Sequence, residues 1–442
     1  MDERVTDVEG ARTTDARPTD AAGEELLSRR TLITGAVGAL GVAVAAGIPL
    51  MAGGQGAKAP AAPPVPAVPV VPVDATKVPG APTTAVGTRS PFVKPSRTPV
   101  GEITGNSLTP LQDLTGTITP ADLHFERHHA GIPFIDPSRH SLLIHGMVAT
   151  PLVLSVEEIR RFPPVTRTAF IECSGNGRAA YREPKPDTTP QKAAGLVGNT
   201  EWTGVPLKVL LDEAGARKDA TWMLAEGGDA CLLARSIPMA KAWDDALVVW
   251  AQNGEPLRPE QGFPLRLLLP GFEGNTSVKW LRRLELGARP WMTRWETSKY
   301  TDPLPDGTAR QFSFDMDAKS IITSPAFPQA LTKGWWPISG LAWSGRGKIT
   351  HVEVSTDSGS SWSQATLHAP ALDRALVRFT HMWEWTGRET VLLSRAIDET
   401  GYVQPTRAEL VKVRGIGTDF HFNPIVGWKV QGDGHVVFHG ET

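Results

Sequence analysis

FIECSGNGR, residues 170–178, is the stretch that decides how the fold is interpreted. A predicted strand, Arg167 to Glu172, ends there at Cys173, and a turn of small residues then leads to Arg178. Glycines in such a turn let a ligand approach the backbone closely. A neighbouring guanidinium lowers the pKa of a thiol and favours the thiolate, the form that binds metals. We therefore expect Arg178 to lower the pKa of Cys173.

Three interpretations of Cys173 stay open on these residues alone. A buried, inert thiol is the usual state of an isolated cysteine. A cysteine nucleophile needs a histidine partner, and this stretch contains no histidine. A thiolate on a metal whose other ligands come from a cofactor needs only the cysteine itself. The second cysteine of the chain, Cys231, is interpreted as a small packed residue without a ligand role.

Composition narrows the class of protein. Of 442 residues, 45 are Lys or Arg and 47 are Asp or Glu, so a net charge of −2 argues against a nucleic-acid partner. Any anion site must come from local arginines. The 43 glycines and 38 prolines favour turns and short strands over a helical bundle. Two cysteines allow at most one disulfide, and the chain has no C-x-x-C-H motif, so we expect no covalent haem on it.

The first 57 residues have the pattern of a targeting segment. Arg29 and Arg30 precede a run without charged residues from Thr31 to Ala57, which is typical of a twin-arginine (Tat) signal. A transmembrane anchor and a chance arginine pair are the alternatives, and cleavage is undetermined. Tat export carries folded proteins, which suits an enzyme that receives its cofactor in the cytoplasm. Residues 58–99, rich in Ala, Pro and Val, are predicted to be an extended linker.

Residues 100–313 mix predicted strands and helices, as in an α+β domain. The spacing of apolar residues predicts strands over His140 to Val148, Leu265 to Leu269 and Trp280 to Leu286, and helices over Ser155 to Phe162 and Pro206 to Ala214.

Residues 314–442 read as a β-sandwich of roughly immunoglobulin type without its cysteines. Ile349 to Ser355 alternates between apolar and polar residues, Asp357 to Gly359 forms a turn, and Trp362 begins the return strand. Val391 to Ile397 and Glu409 to Val413 are predicted to be further short strands.

Several segments, in this order along the chain, resemble motifs of the sulfite oxidase family of molybdopterin enzymes. They are Thr119-Pro120 with Phe125-Glu126-Arg127-His128-His129, Glu172-Cys173-Ser174-Gly175-Asn176, Gly262-Phe263-Pro264-Leu265-Arg266 with Ser277-Val278-Lys279-Trp280, and Val413-Arg414-Gly415. Within the family, LHFERHH, IECSGN, LLPGFEGN and SRAIDETGYVQPTR are most similar to the molybdenum subunit of sulfane (sulfite) dehydrogenases of the thiosulfate-oxidising Sox system. The resemblance implies a molybdopterin-binding catalytic domain over residues 100–313 and an immunoglobulin-like dimerisation domain over residues 314–442.

The resemblance also implies a cofactor and the residues that contact it. Molybdenum, held by molybdopterin, would take Cys173 as its protein ligand. The implied cofactor-contacting set comprises Phe125, Arg127, His128, His129, Cys173, Asp229, Gln261, Arg266, Ser277, Val278 and Lys279. Arg266 and Ser277 to Lys279 would bind the pterin phosphate.

The residues implied for catalysis surround that set. Arg127, Arg178 and Arg414 would gather an oxyanion, Trp202 would line the pocket, and Tyr300 would be a hydrogen-bond and proton partner near the metal. Three positions depart from the family pattern. His128 replaces an Asn, Gln261 replaces a His, and Gly177 replaces one Arg of a pair, which makes the pocket less cationic.

The partners follow from the same resemblance. Electrons would leave to a c-type, dihaem cytochrome subunit, and the substrate would be a sulfur oxyanion or a persulfide on a sulfur-carrier protein. The enzyme would act as a homodimer, exported to the periplasm or to the outer face of the cytoplasmic membrane. The alternatives are a same-fold enzyme that reduces a sulfoxide or nitrate, and a secreted binding protein that has lost its cofactor. A zinc site built from His124, His128 and His129 lacks further ligands.

Overall fold

The computed structural model describes residue 77 and residues 79–304, 306–417 and 419–440. The chain divides into two compact units, Met1–Thr84 and Ala85–Thr442, and every element below belongs to the second. The predicted signal segment lies outside the described residues, as does much of the linker. Within the described part, no helix combines the length and apolar character that a membrane crossing requires. The boundaries predicted at residues 99/100 and 313/314 stay predictions.

The first half of the folded unit is built from three sheets. The first is antiparallel and joins β1 (Thr98–Gly101), β2 (Gly105–Leu108) and β3 (Glu126–His128). The second has the order β11-β10-β7-β6, with β12 also on β10; its strands are β6 (Val165–Glu172), β7 (Val197–Pro206), β10 (Leu247–Gln252), β11 (Glu255–Pro256) and β12 (Arg266–Leu268). The third has the order β5-β4-β13-β8-β9; its strands are β4 (Ser141–Gly146), β5 (Leu152–Ser155), β8 (Trp222–Gly227), β9 (Ala234–Pro238) and β13 (Leu281–Gly287).

Short helices connect these strands. They are α1 (Val156–Ile159), α2 (Arg178–Arg182), α3 (Pro190–Ala194), α4 (Leu207–Glu213), α5 (Met239–Asp244) and α6 (Arg294–Thr297). The predicted start of α1 is confirmed: the Ser155 hydroxyl accepts from the Glu158 backbone N–H, and the Glu158 carboxylate accepts from the Ser155 backbone N–H. A two-stranded ribbon of β14 (Asp302–Pro303) and β15 (Ala309–Arg310) leads to the second half.

The second half is a sandwich of two antiparallel sheets. One has the order β16-β17-β21-β20, formed by β16 (Lys319–Ser324), β17 (Gly334–Trp343), β20 (Thr366–Leu367) and β21 (Val377–Trp385). The other has the order β19-β18-β22-β23-β24, formed by β18 (Ile349–Ser355), β19 (Ser363–Gln364), β22 (Thr390–Asp398), β23 (Gly427–Val430) and β24 (Val436–His439). The predicted hairpin is confirmed, because Glu353 pairs with Gln364 across the turn.

One predicted strand is wrong. Glu409 to Val413 lies within a helix, α7 (Arg407–Arg414). Thr406 caps its first turn by accepting from the Glu409 backbone N–H, and the Glu409 carboxylate accepts from the Thr406 backbone N–H. This reciprocal cap satisfies two backbone donors at the helix start. A short apolar run does not distinguish a strand from a helix turn, whereas the cap does.

The hydrophobic core of the sandwich continues into the first half. Phe170 on β6 and Val197 on β7 pack in one cluster with Trp343 and Trp428 of the sandwich. The strand end that carries Cys173 therefore lies where the two halves meet. A separate cluster between the third sheet and α4, with Leu210, Leu211 and Ile144 fully buried, supports the first half alone.

Candidate active site

Cys173 directly follows β6 and begins a tight turn. Its backbone N–H donates to the Leu196 carbonyl at 2.9 Å, and its carbonyl accepts from the Asn176 N–H at 2.9 Å. Gly177 closes the turn at φ +94°, in the left-handed region that favours glycine. The Cys173 thiol is partly buried and lines two cavities that meet at this point.

The expectation that Arg178 lowers the pKa of this thiol is wrong. Burial raises the pKa of Cys173, and the nearby cation that opposes this rise is Arg127. The Arg178 guanidinium instead turns to Asp419, with a carboxylate oxygen and the backbone carbonyl both at 3.2 Å. Without a bound metal, this environment therefore holds the thiol rather than the thiolate.

The inner cavity, of about 70 Å³, lies between β3, β12 and the segment before β13. Every member of the predicted cofactor-contacting set lines it, although these residues come from segments more than 150 positions apart. Tyr300 lines it as well, together with Glu126, Leu233, Gly274, Asn275 and Trp280. The structure thus gathers the whole set into one site that begins at the Cys173 thiol.

Arg266 is the most unusual cation of the inner cavity. Its side chain is 4% exposed, one Nη donates to the carbonyl and the side-chain oxygen of Gln261 at 3.2 and 3.1 Å, and its Nε is buried without a hydrogen-bond partner. No described carboxylate forms an ion pair with it. Burial lowers the pKa of Arg266 to about 9. A buried guanidinium with an orphaned N–H is complementary to an anion.

Lys279 is a second, partly buried cation, and it has no acidic partner among the described residues. Its ammonium donates to three neutral acceptors: the Arg127 carbonyl at 3.1 Å, the Glu260 carbonyl at 3.0 Å and the His128 Nδ1 at 2.9 Å. Burial lowers the pKa of Lys279 well below its ordinary value. Ser277 lies in the same segment, and its hydroxyl accepts from the Leu269 N–H.

The structure fits the cofactor that the residues imply. The buried Arg266 guanidinium has an unpartnered N–H and lies near the Lys279 ammonium, which no described carboxylate contacts, so the charge of a phosphate would offset this positive charge. Cys173 lines the same cavity, and its sulfur is a soft ligand of the kind that binds molybdenum as a thiolate. Cys173 would hold the metal, and Arg266 and Lys279 would bind the phosphate of an anionic pterin.

The three neighbouring histidines do not converge on a common point. Burial lowers the pKa of His124 to about 3, and its Nδ1 lies 2.9 Å from the Phe125 carbonyl. His128 lies between Lys279 and Glu126, so its Nε2–H donates to the Glu126 carboxylate at 2.7 Å. Within the described residues no cluster of His, Cys, Asp or Glu is arranged to hold a metal ion.

His129 and Tyr300 form a hydrogen-bonded pair where the cavities meet. The His129 Nε2 lies 2.8 Å from the Tyr300 hydroxyl, and the Arg127 guanidinium faces His129 Nδ1 at 3.5 Å. Burial and Arg127 lower the pKa of His129 to about 4, so the ring is neutral at pH 7. Because an arginine only donates, Nδ1 must be the acceptor and Nε2 carries the proton. The Tyr300 O–H is then free to donate into the cavity.

Asp229 lines the inner cavity, and Cys231 lies behind it in contact with its carboxylate. One Asp229 carboxylate oxygen accepts from the Leu233 N–H at 3.1 Å, and the other accepts from the Cys231 thiol at 2.9 Å. Burial and this bond raise the pKa of Cys231 to about 12. Cys231 packs beside Trp295, in agreement with its interpretation as a packed residue, and its thiol also donates to the cavity-lining Asp229 carboxylate.

The outer cavity, of about 1010 Å³, opens from Cys173 to solvent. Arg127, His129, Cys173 and Tyr300 line both cavities. Six cationic and three acidic side chains line the outer one: Arg127, Arg178, Arg182, Lys185, Lys192 and Lys299, and Glu183, Asp187 and Asp419. Their balance is positive, which favours anions.

Two residues assigned to the pocket lie elsewhere. Trp202 is fully buried, donates from Nε1 to the Ala169 carbonyl at 3.0 Å, and has the Arg266 guanidinium 5.3 Å from its ring centroid. It supports Arg266 from behind the wall. Arg414, the last residue of α7, pairs with the buried Asp302 at 3.4 Å. It lines neither cavity. Its position in the family motif could not reveal that its guanidinium forms an ion pair with Asp302.

The motif analysis missed two acidic residues behind Cys173. Glu172 is fully buried and contacts Lys319 and Trp343 of the sandwich. Glu273 is 3.0 Å from the buried Arg235 and 3.7 Å from His421, whose N–H donates to the Ser174 carbonyl. Glu172 lies inside the Glu172-Cys173-Ser174-Gly175-Asn176 motif, but its burial and its partners come from the sandwich. His421 carried no signal, because its contact spans almost 250 residues.

Comparisons with known proteins agree with this site. Residues 129–295 match the oxidoreductase molybdopterin binding domain, and residues 310–427 match the Mo-co oxidoreductase dimerisation domain. The chain is 30% identical to the sulfite oxidase of Gallus gallus over 325 residues, which cover 68% of this chain and 71% of that protein. The chain belongs to the sulfite oxidase family. Its cofactor is therefore molybdenum with molybdopterin.

Two further relatives define the extent of the similarity. The mitochondrial sulfite oxidase of Mus musculus is 29% identical over 337 residues, covering 70% of this chain but only 62% of that protein. The crystal structure of the sulfane dehydrogenase SoxCD from Paracoccus pantotrophus is 44% identical, with a TM-score of 0.79, and the match covers 82% of this chain and 96% of that chain. The likeness to the SoxCD chain thus extends over both halves of the folded unit.

Proposed function

We propose that this member of the family oxidises sulfite or carrier-bound sulfane sulfur during thiosulfate oxidation and passes the electrons to a c-type cytochrome. The observation that carries the proposal is the junction at Cys173. There a small inner cavity, lined by Arg266 and Lys279 without described carboxylate partners, meets a larger cavity whose lining has a surplus of cations. One side suits a resident anionic cofactor, and the other suits an anionic substrate that enters and leaves.

Each end of the inner cavity has its own task. Cys173 would be the single protein ligand of molybdenum, and Arg266 and Lys279 would bind the pterin phosphate. When bound, the cofactor supplies exchange of an oxygen atom together with two electrons, the difficult redox step that the protein does not perform itself.

The residues at the junction would orient the substrate. Arg127 and Arg178 would offset the charge of a sulfur oxyanion and hold it facing the metal position. Tyr300, whose hydroxyl accepts from His129, would donate its own O–H to the substrate or to a water. Burial raises the pKa of Tyr300, so this proton stays on the phenol at neutral pH. The outer cavity, about fourteen times the volume of the inner one, leaves room for a persulfide on a carrier protein.

The partners and location form the second part of the proposal. With no C-x-x-C-H motif on this chain, electrons would leave to a separate c-type, dihaem cytochrome subunit. The solved SoxCD relative supports that arrangement. The match to a dimerisation domain supports a homodimer through the sandwich. The twin-arginine pattern supports export by Tat to the periplasm or to the outer face of the cytoplasmic membrane.

Metal analysis followed by substrate assays tests the proposal. The purified, matured protein should hold about one molybdenum per chain and should reduce cytochrome c with sulfite or with a persulfide-loaded carrier. Molybdenum without either activity, combined with reduction of nitrate or a sulfoxide, would favour the same-fold reductase. A matured protein without molybdenum would overturn the enzyme assignment and favour a binding protein.

A further inference from the structure

The side chain of Glu172 ties the Cys173 turn together from behind. One carboxylate oxygen accepts from the Asn176 amide at 2.8 Å. Asn176 is 1% exposed, and its own side-chain oxygen accepts from the Leu196 N–H at 3.0 Å. The residues that open and close the turn are thus linked directly, and both are removed from solvent.

The other contacts of Glu172 come from the sandwich. The Lys319 ammonium on β16 lies 2.8 Å from the same carboxylate oxygen that Asn176 contacts, and it also donates to the Asn176 carbonyl at 3.3 Å. The Trp343 Nε1 on β17 donates to the second oxygen at 2.7 Å. Lys319 and Trp343 are 5% and 0% exposed. All four groups are therefore enclosed where the two halves meet.

We propose that Lys319 and Trp343 are positioning residues for Cys173, so that the sandwich sets the orientation of the metal-binding turn as well as forming the dimerisation domain. The inference rests on the proposed role of Cys173 as the metal ligand. A carboxylate with three buried donors is held in one orientation, because each lost contact leaves a polar group unsatisfied. The peptide that follows Glu172 carries this restraint directly to the Cys173 backbone.

The same hydrophobic cluster contains a matched comparison. Trp428 on β23 is also fully buried and donates from Nε1 to a backbone carbonyl, that of Ile322, at 3.0 Å. Trp343→Phe and Trp428→Phe each remove one indole and one hydrogen bond from this cluster. Only the first removes a contact to the residue beside Cys173.

The experiment compares these two variants as full-length, cofactor-loaded protein. Its readouts are molybdenum per chain, the visible absorption of the oxidised metal centre, kcat and KM for sulfite, and the thermal unfolding temperature. Thiolate-to-metal absorption depends on the orientation of the sulfur, so it reports the position of Cys173 without any substrate. We expect Trp343→Phe to shift this absorption and lower kcat about tenfold, with KM within twofold of wild type.

Trp428→Phe is expected to lower the unfolding temperature about as much as Trp343→Phe does. It should leave absorption and kcat within twofold of wild type. Lys319→Met, which removes the other sandwich contact, is the second variant. It should shift the absorption in the same direction even if Trp343→Phe does not fold. Equal effects of the two tryptophan variants, or unchanged absorption and kcat in the Glu172-contacting variants, would overturn the inference. Wild-type protein without molybdenum would instead refute the proposed function.

Discussion

The inner and outer cavities use the same side chains in opposite ways. In the inner cavity, Arg266 is 4% exposed and pairs with no described carboxylate. In the outer cavity, the Arg178 side chain is 47% exposed and shares Asp419 with Arg182, at 3.2 and 2.9 Å. Arg266 is thus buried without an ion-pair partner among the described residues, whereas Arg178 and Arg182 reach solvent and pair with Asp419.

This difference indicates what each cavity is for. Burying a guanidinium without a partner costs several kcal/mol, which a resident anion would offset. An exposed, ion-paired arginine costs little to hold and contributes about 1 kcal/mol or less to each interaction. The inner cavity is therefore built for an anion that stays, and the outer cavity for anions that exchange.

The largest expected effect is at the junction of the cavities. Cys173→Ser should lower turnover at least about 1000-fold, since the hydroxyl is a poor substitute for a metal-bound thiolate. The fold and much of the pterin should remain, because the phosphate contacts lie at the far end. Steady-state kinetics and cofactor analysis measure both. Cys231→Ser is the matched control: its hydroxyl still donates to Asp229, so turnover should be near wild type. Appreciable activity in Cys173→Ser would mean that the metal ligand is misassigned.

The next largest effect is expected from a substitution that changes the inner cavity and not the outer one. Arg266→Met should reduce bound molybdenum and pterin about tenfold or more under limiting cofactor, because a charge-assisted hydrogen bond contributes about 1.5–3 kcal/mol. The cofactor-free variant should be as stable as cofactor-free wild type, or more so, because an unmatched buried charge has been removed. Unfolding curves of the two cofactor-free proteins measure this opposite sign. A less stable cofactor-free variant would contradict an anion site built at the expense of stability.

A pH effect on stability should come from His124, which is fully buried beside Phe125 and Trp202. The pKa of buried His124 is lowered to about 3, so between pH 6.5 and 3 the unfolded chain binds a proton that the folded chain does not. Stability therefore falls as the pH falls, by about 2 kcal/mol for this group between pH 7 and 5. Urea unfolding of wild type and His124→Phe at both pH values measures the contribution. Equal pH dependence in the two proteins would remove His124 as its source.

A smaller effect is expected at the outer cavity. Arg178→Gln should raise KM for sulfite about fivefold, with kcat and molybdenum content unchanged, because a half-exposed charge contributes about 1 kcal/mol to binding. Arg161→Gln is the control, since Arg161 lies on the surface beyond α1, where it pairs with the exposed Glu157. An unchanged KM in Arg178→Gln would take this residue out of the substrate path.

The smallest effect distinguishes the cavities without mutation. Raising the ionic strength from 0.05 to 0.5 M should raise KM for sulfite about two- to threefold, because exposed charges are screened within a few ångströms at high salt. Bound molybdenum should not change over the same range, since Arg266 is buried and salt screens buried charges much less. Kinetics and metal analysis on the same samples compare the two. Loss of molybdenum at high salt would place the inner cations in contact with solvent.

Much of the fold could be predicted from local patterns. The capped helix α1, the hairpin from β18 to β19 and the strand before Cys173 follow from residues close together in the chain. The strand predicted over Glu409 to Val413 was wrong, because five residues are too few to distinguish a strand period from a helix period. The cap formed by Thr406 starts a helix there instead.

The candidate site divides along a similar line. Motif positions identified every predicted cofactor-contacting residue that the inner cavity brings together. They could not place Arg414 or Trp202, because the motif does not state where a long side chain ends. Arg414 is drawn to the buried Asp302, and the indole of Trp202 lies behind the Arg266 guanidinium.

The sequence by itself determined the family and the cofactor, and it predicted the residues that contact the cofactor, since these follow from short motifs. Tertiary structure alone decided which cations are matched. Arg266 and Arg178 are the same residue type, and only the solvent and the carboxylates around each make one a site for a resident anion and the other a site for exchange. It also decided that Glu172 meets Lys319 and Trp343, nearly 150 residues or more away. Burial and charge pairing depend on distant segments that no local pattern encodes.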